Sequence, residues 1–171
     1  GKRAQQGTVF AFWTGLFLKI TKIKPASMSD ISFYHLEVSG FEVALPKLLE
    51  KVIASGFKTV VRFGNPELME KMNKALWSYD PGSFLPHGTK ISGHEDNQTI
   101  YLTLEADNPN SATLLLLAND ANLELFESYN RVLLMFDGHS EEMIKTAREK
   151  WKTLKEEGHK LTYFQQTERG G

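Results

Sequence analysis

No cysteine occurs among the 171 residues of this chain. Disulfide bonds, thiol catalysis and cysteine metal sites are therefore excluded. The five histidines lack the i,i+4 spacing typical of a metal site, so we expect no metal. The formal net charge is only -1, which argues against a protein that wraps duplex DNA by itself, because such proteins carry a broad basic surface. Any basic binding surface must be local.

The common nucleotide-binding motifs are also missing. The segment after the first predicted strand reads LEVSGFEVALPK, and its single glycine cannot form the GxGxxG turn that lets backbone amides approach a pyrophosphate. Neither a GxxxxGK[ST] loop nor a GxSxG elbow occurs in the chain. We therefore expect no cofactor and no catalytic site. A nucleotide-binding α/β enzyme with a degenerate loop stays open as the alternative.

The first 27 residues differ from the rest of the chain. Their apolar run TVFAFWTGLFL is too short to span a bilayer and is not followed by a small-residue cleavage pattern, so we expect neither a membrane anchor nor export. Together with the lack of cysteine, this favours a cytoplasmic protein. We expect residues 1–27 to be an extension outside the core, Met28 to be the natural start, and one domain to span residues 28–168.

The pattern of apolar residues predicts alternating strands and helices. Residues 31–38 and 58–63 are aromatic or β-branched, as in strands, whereas residues 41–55 repeat apolar side chains at helical spacing, as do those from Pro66 onward. Parallel strands joined through helices form right-handed crossovers, and the helices cover the sheet. We predict an α/β fold, a three-layer Rossmann-like domain whose central sheet is mostly parallel and flanked by helices.

The second half of the chain continues this pattern after a long irregular segment, residues 79–97. We predict further strands at residues 99–105, 112–118, 131–136 and 161–166. The last helix should extend from an N-cap at Ser140 to Gly158, which can adopt the left-handed conformation that ends a helix.

That last helix, SEEMIKTAREKWKTLKEEG, sorts its side chains by angle into apolar, basic and acidic stripes. The apolar face carries Met143, Ala147, Trp151 and Leu154. The adjacent edge carries four cations: Lys145, Arg148, Lys152 and Lys155. Trp151 borders both stripes, and an aromatic ring beside positive charges suits a short peptide that has a free carboxylate and bulky apolar residues.

A solvated helix face is the alternative for the same charges. Glutamates stand three or four residues from the lysines, in the pairs Glu141–Lys145, Glu149–Lys152 and Lys152–Glu156. Such pairs form weak ion pairs on exposed helices. The pattern by itself favours this second interpretation.

Two segments carry recognisable motifs. The first is an ALW…SF.PH pattern, formed by Ala75, Leu76, Trp77, Ser83, Phe84, Pro86 and His87. The second consists of Ala147, Arg148, Glu149, Trp151 and Lys152, followed by Gly158 at the end of the helix. Together they resemble the chi subunit of bacterial DNA polymerase III, whose family shows both motifs. The order of strands and helices from Met28 to Gln166 also fits, so the resemblance covers nearly the whole chain after residue 27.

The resemblance implies a non-catalytic replication adaptor. It would link the clamp-loader assembly, through the psi subunit or an equivalent component, to the acidic C-terminal tail of single-stranded-DNA-binding protein. That tail ends in aspartates, proline and a phenylalanine carboxylate. Lys145, Arg148 and Lys152 would pair with its carboxylates. Trp151 would wall the phenylalanine pocket, at a position where the family usually carries tyrosine.

The resemblance also implies a second surface on this chain, which would bind the partner subunit. Its residues are Trp77, Phe84, Pro86 and His87. For Trp77 and Phe84 the alternative is packing in the core. No row of aromatic residues interleaved with basic ones occurs, so we expect no direct binding to DNA. A structural subunit whose basic helix contacts phosphates stays open as a third possibility.

Overall fold

The computed structural model describes residues 29–78, 86–94 and 98–166. The predicted N-terminal extension and its boundary at Met28, as well as Phe84, lie outside this part of the chain. The strands are β1 (Asp30–Leu36), β2 (Thr59–Phe63), β3 (His87–Thr89), β4 (Ile100–Thr103), β5 (Leu114–Ala118), β6 (Arg131–Asp137) and β7 (Lys160–Gln165). The α-helices are α1 (Phe41–Ala54), α2 (Pro66–Trp77) and α3 (Glu141–Glu156).

The seven strands form one sheet in the order β3-β4-β2-β5-β6-β1-β7. Every strand pairing in the described residues is parallel. Helices α1 and α2 cover one face of the sheet, and α3 covers the other face above β6 and β7. The predicted three-layer α/β domain is therefore confirmed.

Strand β5 shows how an unbroken apolar run forms a strand in this fold. Leu114 and Leu116 contribute to the core under α1 and α2, whereas Leu115 and Leu117 contribute to the core on the α3 side. All four are fully buried. Because a central parallel strand is covered on both faces, its side chains need no polar alternation.

Local signals fix the ends of the helices. The side chain of Asn65 accepts a hydrogen bond from the backbone N–H of Leu68 and caps α2 just before Pro66. Ser140 caps α3 in the same way by accepting from the N–H of Met143, as predicted. Gly158 follows α3 with a φ of 91°, in the left-handed region that glycine adopts without strain.

The prediction of an irregular segment over residues 79–97 is wrong in one part. Residues His87–Thr89 form β3, which pairs with β4 and lies at the edge of the sheet. A three-residue strand is too short to show a periodic pattern, and only its partner defines it. Strands β4 and β5, although consecutive in the chain, do not pair with each other, because β2 lies between them.

Gly138 lies where the backbone must pass close to β1. Its N–H donates to the carbonyl oxygen of Leu36 at 2.7 Å, and a Cβ at this position would collide with that oxygen and with the ring of His35. Gly138→Ala should lower the free energy of unfolding by about 1 to 3 kcal/mol, because the backbone oxygen cannot move aside. Chemical denaturation measures the change.

Gly40→Ala is the matched control for this substitution. A Cβ on Gly40 would meet only the far end of the Glu42 side chain, which can shift together with its exposed partner Lys71. We therefore expect a loss below about 1 kcal/mol. Equal losses for the two variants would contradict the close approach at Gly138.

Candidate functional site

The basic edge of α3 stands exposed in the structure. It carries the predicted cations Lys145, Arg148, Lys152 and Lys155. Across residues 29–78, 86–94 and 98–166, no carboxylate lies within 4.0 Å of any of these four side chains. The intrahelical ion pairs that the sequence offers are therefore not formed, and the charges remain directed at solvent.

The opposite side of α3 anchors the helix to the sheet. Ala147 and Leu154 are buried, and Ile144 and Trp151 pack against the same core. Met143, which was predicted on this face, does not belong to that core, and Ile144 takes its place. Lys150 donates from Nζ to the carbonyl oxygen of Ala121 at 2.8 Å, and burial lowers the pKa of its amine. The helix is thus held with its cationic edge outward.

Trp151 lies at the border between core and surface, as predicted. Its ring meets Phe33 edge-on at 5.1 Å, with an angle of 72° between the planes. It also meets Tyr163 at 6.2 Å and 89°. Phe33 is buried, whereas Tyr163 is 45% exposed. Trp151 and Tyr163 thus form a corner of two perpendicular rings beside the cations.

Sequence reasoning missed Tyr163. The parallel register places Tyr163 of β7 opposite Phe33 of β1, directly beside Trp151. Alternation along β7 puts Tyr163 on the same face as Leu161, which packs in the core below α3. That signal is present in the sequence, but it becomes informative only once the partner of β7 is known.

The hydroxyl group of Tyr163 is hydrogen-bonded to Nδ1 of His35. The His35 ring stacks on Phe136 with its centroid at 4.8 Å, and its Nε2 faces the Glu37 carboxylate at 3.5 Å. Burial and the charge of Glu37 raise the pKa of Tyr163, while the positive charge of Arg148 opposes this shift. Burial is therefore the main cause of the raised pKa of Tyr163.

The loop between β1 and α1 is the place where Rossmann-like proteins bind phosphate. Here the backbone N–H groups of Glu37, Val38 and Ser39 all donate to Oε1 of Gln166, at 3.1, 2.7 and 2.9 Å. The side-chain amide nitrogen of Gln166 donates to Ser39 Oγ at 2.6 Å. The amides that would hold an anion are thus already occupied by a side chain that follows β7.

The second predicted surface lies at the other edge of the sheet. Trp77 ends α2 and is 61% exposed, so it is not a core residue. Its ring packs at 4.5 Å against His87, which is buried in β3 next to the partly buried Pro86. The structure therefore brings three of the four predicted residues together, with Trp77 outermost.

Comparison with known proteins identifies the family. The model of the family described as DNA polymerase III chi subunit, HolC, matches residues 28–162. This chain belongs to the chi subunit family. A curated chi relative, "Probable DNA polymerase III subunit chi" from Rickettsia prowazekii (strain Madrid E), is 32% identical over 117 residues, which cover 64% of this chain and 71% of the relative.

Membership of the chi family confirms the resemblance found in the sequence. The protein is an accessory subunit of DNA polymerase III with a role in DNA replication, and its partners include components of the holoenzyme. In the described part of the chi domain, no helix is long and apolar enough to cross a membrane. The same residues contain no group of three or more His, Asp or Glu side chains suited to hold a metal.

The two tryptophans of the candidate chi surfaces should differ in their effect on stability. Trp151→Ala should lower the free energy of unfolding by about 2 to 4 kcal/mol, because the indole packs on Phe33 and the core. Trp77→Ala should cost less than about 1 kcal/mol, because most of this side chain is exposed. Chemical denaturation of both variants tests the difference, and the reverse order would contradict this description.

Proposed function

We propose that this chi subunit binds the acidic C-terminal tail of single-stranded-DNA-binding protein on α3 and links it to the clamp-loader assembly as a non-catalytic adaptor. One observation carries the proposal. The cations of α3 have no acidic partner within the described residues and stand beside a half-exposed aromatic corner. A surface of this kind is complementary to a peptide that supplies both carboxylates and an aromatic side chain.

Arg148 is suited to hold the terminal carboxylate of the tail. Its planar guanidinium can donate two parallel hydrogen bonds to one carboxylate, which a lysine cannot do. Lys145 and Lys152 lie three and four residues away on the same side of the helix and would neutralise the aspartates. Exposed ion pairs are individually weak, so affinity also requires apolar contact, which Trp151 provides.

The alternative of a nucleotide-binding enzyme receives less support. A phosphate group entering the β1–α1 loop would have to displace Gln166 from three backbone amides. The displaced side chain would also lose its bond to Ser39. Among the described residues, no carboxylate is paired with the cationic edge of α3, and this difference favours the adaptor.

The surface around Trp77 is proposed as the docking site for the psi subunit or an equivalent clamp-loader component. A tryptophan that is 61% exposed leaves a large apolar area in water. The ring of His87 supports it from β3, and Pro86 precedes His87 in the chain. The family resemblance assigns Phe84 to the same surface. Exposed aromatic residues on a rigid support are typical anchors of protein interfaces.

Isothermal titration with a peptide that ends in aspartates, proline and phenylalanine tests the tail site. Arg148→Ala should weaken binding by about 1 to 3 kcal/mol, because a charge-assisted hydrogen bond is lost. The melting temperature should stay nearly unchanged, since Arg148 is exposed. Amidation of the peptide's terminal carboxylate should cause a comparable loss.

Lys51→Ala is the charge-matched control for Arg148. Lys51 is exposed on α1, which covers the opposite face of the sheet. We expect this variant to bind the peptide as the unaltered chain does. An equal loss for both variants would indicate non-specific attraction, and an absence of binding heat would reject the tail site. Salt-dependent binding to oligonucleotides without any partner would instead favour direct contact with DNA.

Trp77→Ala should separate the two proposed surfaces. We expect it to abolish or strongly reduce complex formation with the psi subunit or its equivalent, measured by size-exclusion chromatography, while peptide binding to α3 stays unchanged. Val43→Ala removes a different exposed apolar side chain, on α1, and serves as the control. Retained complex formation by Trp77→Ala would contradict the docking site.

A further inference from the structure

Helices α1 and α2 do not extend over the whole of their face of the sheet. Helix α1 leads from β1 to β2, which lies three positions away in the strand order, so it runs over β6 and β5. Helix α2 continues from β2 to β3, still farther from β1. Among the described residues, the core under these helices contains side chains from β1, β2, β4, β5 and β6 but none from β7. One edge of this face thus lies beyond both helices.

This edge carries two pairs of side chains from β1 and β7. Ser32 stands opposite Thr162, and Tyr34 stands opposite Phe164, in the parallel register. All four alternate with residues that pack in the core under α3, so they point to the other side of the sheet. The rings of Tyr34 and Phe164 are stacked, with their centroids 5.1 Å apart and 15° between the planes. We call these four residues the β1–β7 face.

The β1–β7 face is largely withdrawn from water. Ser32 is 1% exposed, and the neighbouring Arg131 of β6, whose guanidinium donates to Ser32 Oγ at 2.8 Å, is 2% exposed. Burial lowers the pKa of Arg131, while Tyr34 and Asp30 oppose this shift. Burial also raises the pKa of Tyr34. A cation and a phenol are desolvated in this way only when further atoms lie above them, and no described helix supplies these atoms.

The chain before β1 has the composition of such a layer. Residues 8–18 read TVFAFWTGLFL, an uncharged run with four aromatic side chains. The other stretches outside the described residues are 79–85 and 95–97, beside β3 and β4 at the opposite end of the strand order, and the five residues TERGG at 167–171. Of these stretches, the first is the one that is long and apolar enough to cover two strands.

Ser29 fixes the point at which this segment joins the domain. Its N–H donates to Nδ1 of His159 at 3.0 Å, and its carbonyl oxygen accepts from the N–H of Lys160 at 3.1 Å. The chain therefore enters the sheet between β1 and β7. Tyr34 lies five residues farther along β1, about 16 Å away, and the ten residues between Leu18 and Ser29 can span about 33 Å. The apolar run can thus reach the β1–β7 face.

From these observations we infer that residues 1–27 dock onto the β1–β7 face, with the apolar run 8–18 packed on Tyr34 and Phe164. The segment is then part of the folded domain, in contrast to the extension outside the core that sequence composition predicts. Docking removes the aromatic side chains of the run from water, and aromatic rings gain further from contact with the stacked pair.

Thermal unfolding of the full chain tests this inference. The four aromatic residues of the run are replaced one at a time, in the variants Phe10→Ala, Phe12→Ala, Trp13→Ala and Phe17→Ala. We expect at least two of these variants to lower the Tm by about 4 to 10 °C, because a packed aromatic side chain is lost. The matched controls Gln5→Ala and Gln6→Ala alter polar residues of the same segment and should leave the Tm within about 1 °C.

A thiol placed on the β1–β7 face shows where the segment lies. The chain has no cysteine, so Thr162→Cys introduces a single reactive group. We expect this thiol to react with Ellman's reagent at least about 10-fold more slowly than the thiol of Thr153→Cys, which is exposed on α3. Adding the most destabilising of the four aromatic substitutions should accelerate the reaction at position 162 and leave that at position 153 unchanged.

Two results would overturn the inference. If none of the four aromatic variants lowers the Tm, or if the thiol at position 162 reacts as fast as the one at position 153, residues 1–27 do not cover this face. Protection that increases with protein concentration would assign the cover to a second copy of the chain instead. Melting curves establish that each cysteine variant is folded.

Discussion

The parallel pairing of β7 with β1 is the constraint on which the candidate site depends. It places Tyr163 beside Phe33, and α3, which runs from β6 to β7, must then cross above both residues. Trp151 fills the space between helix and sheet, so its position is fixed by packing. A shift of β7 by one residue would turn Tyr163 to the other face of the sheet and remove one wall of the aromatic corner.

The chi subunit has the strand and helix arrangement of a Rossmann-like domain, but its proposed binding site lies on α3 and not in the β1–α1 loop. In nucleotide-binding relatives of this fold class, the amides after the first strand receive a phosphate. In this chain Gln166 occupies them and ties the end of β7 to the β1–α1 loop. The same contacts support the edge strand that carries Tyr163, so the loop stabilises the proposed peptide site in place of binding a ligand itself.

The fold and part of the candidate site were predictable from the sequence. Periodic apolar residues, the cap at Ser140 and the glycine at 158 defined α3, and helical spacing alone brought Arg148 and Lys152 to one edge. Tyr163 and Gln166 were not predictable, because their partners lie far away in the chain and depend on strand order. Strand β3 was missed because three residues are too few to show a periodic pattern of apolar side chains, and only its pairing with β4 defines it.

The two proposed docking surfaces lie at opposite ends of the strand order, Trp77 and His87 at β3 and Tyr163 with α3 at β7. Adjacent strands are spaced by about 4.8 Å, so the six intervals of a seven-stranded sheet separate these edges by roughly 29 Å. Two partners bound at the proposed surfaces would therefore stand on opposite edges of the chi subunit. The width of the sheet would then set the distance between them, and with it their local concentration.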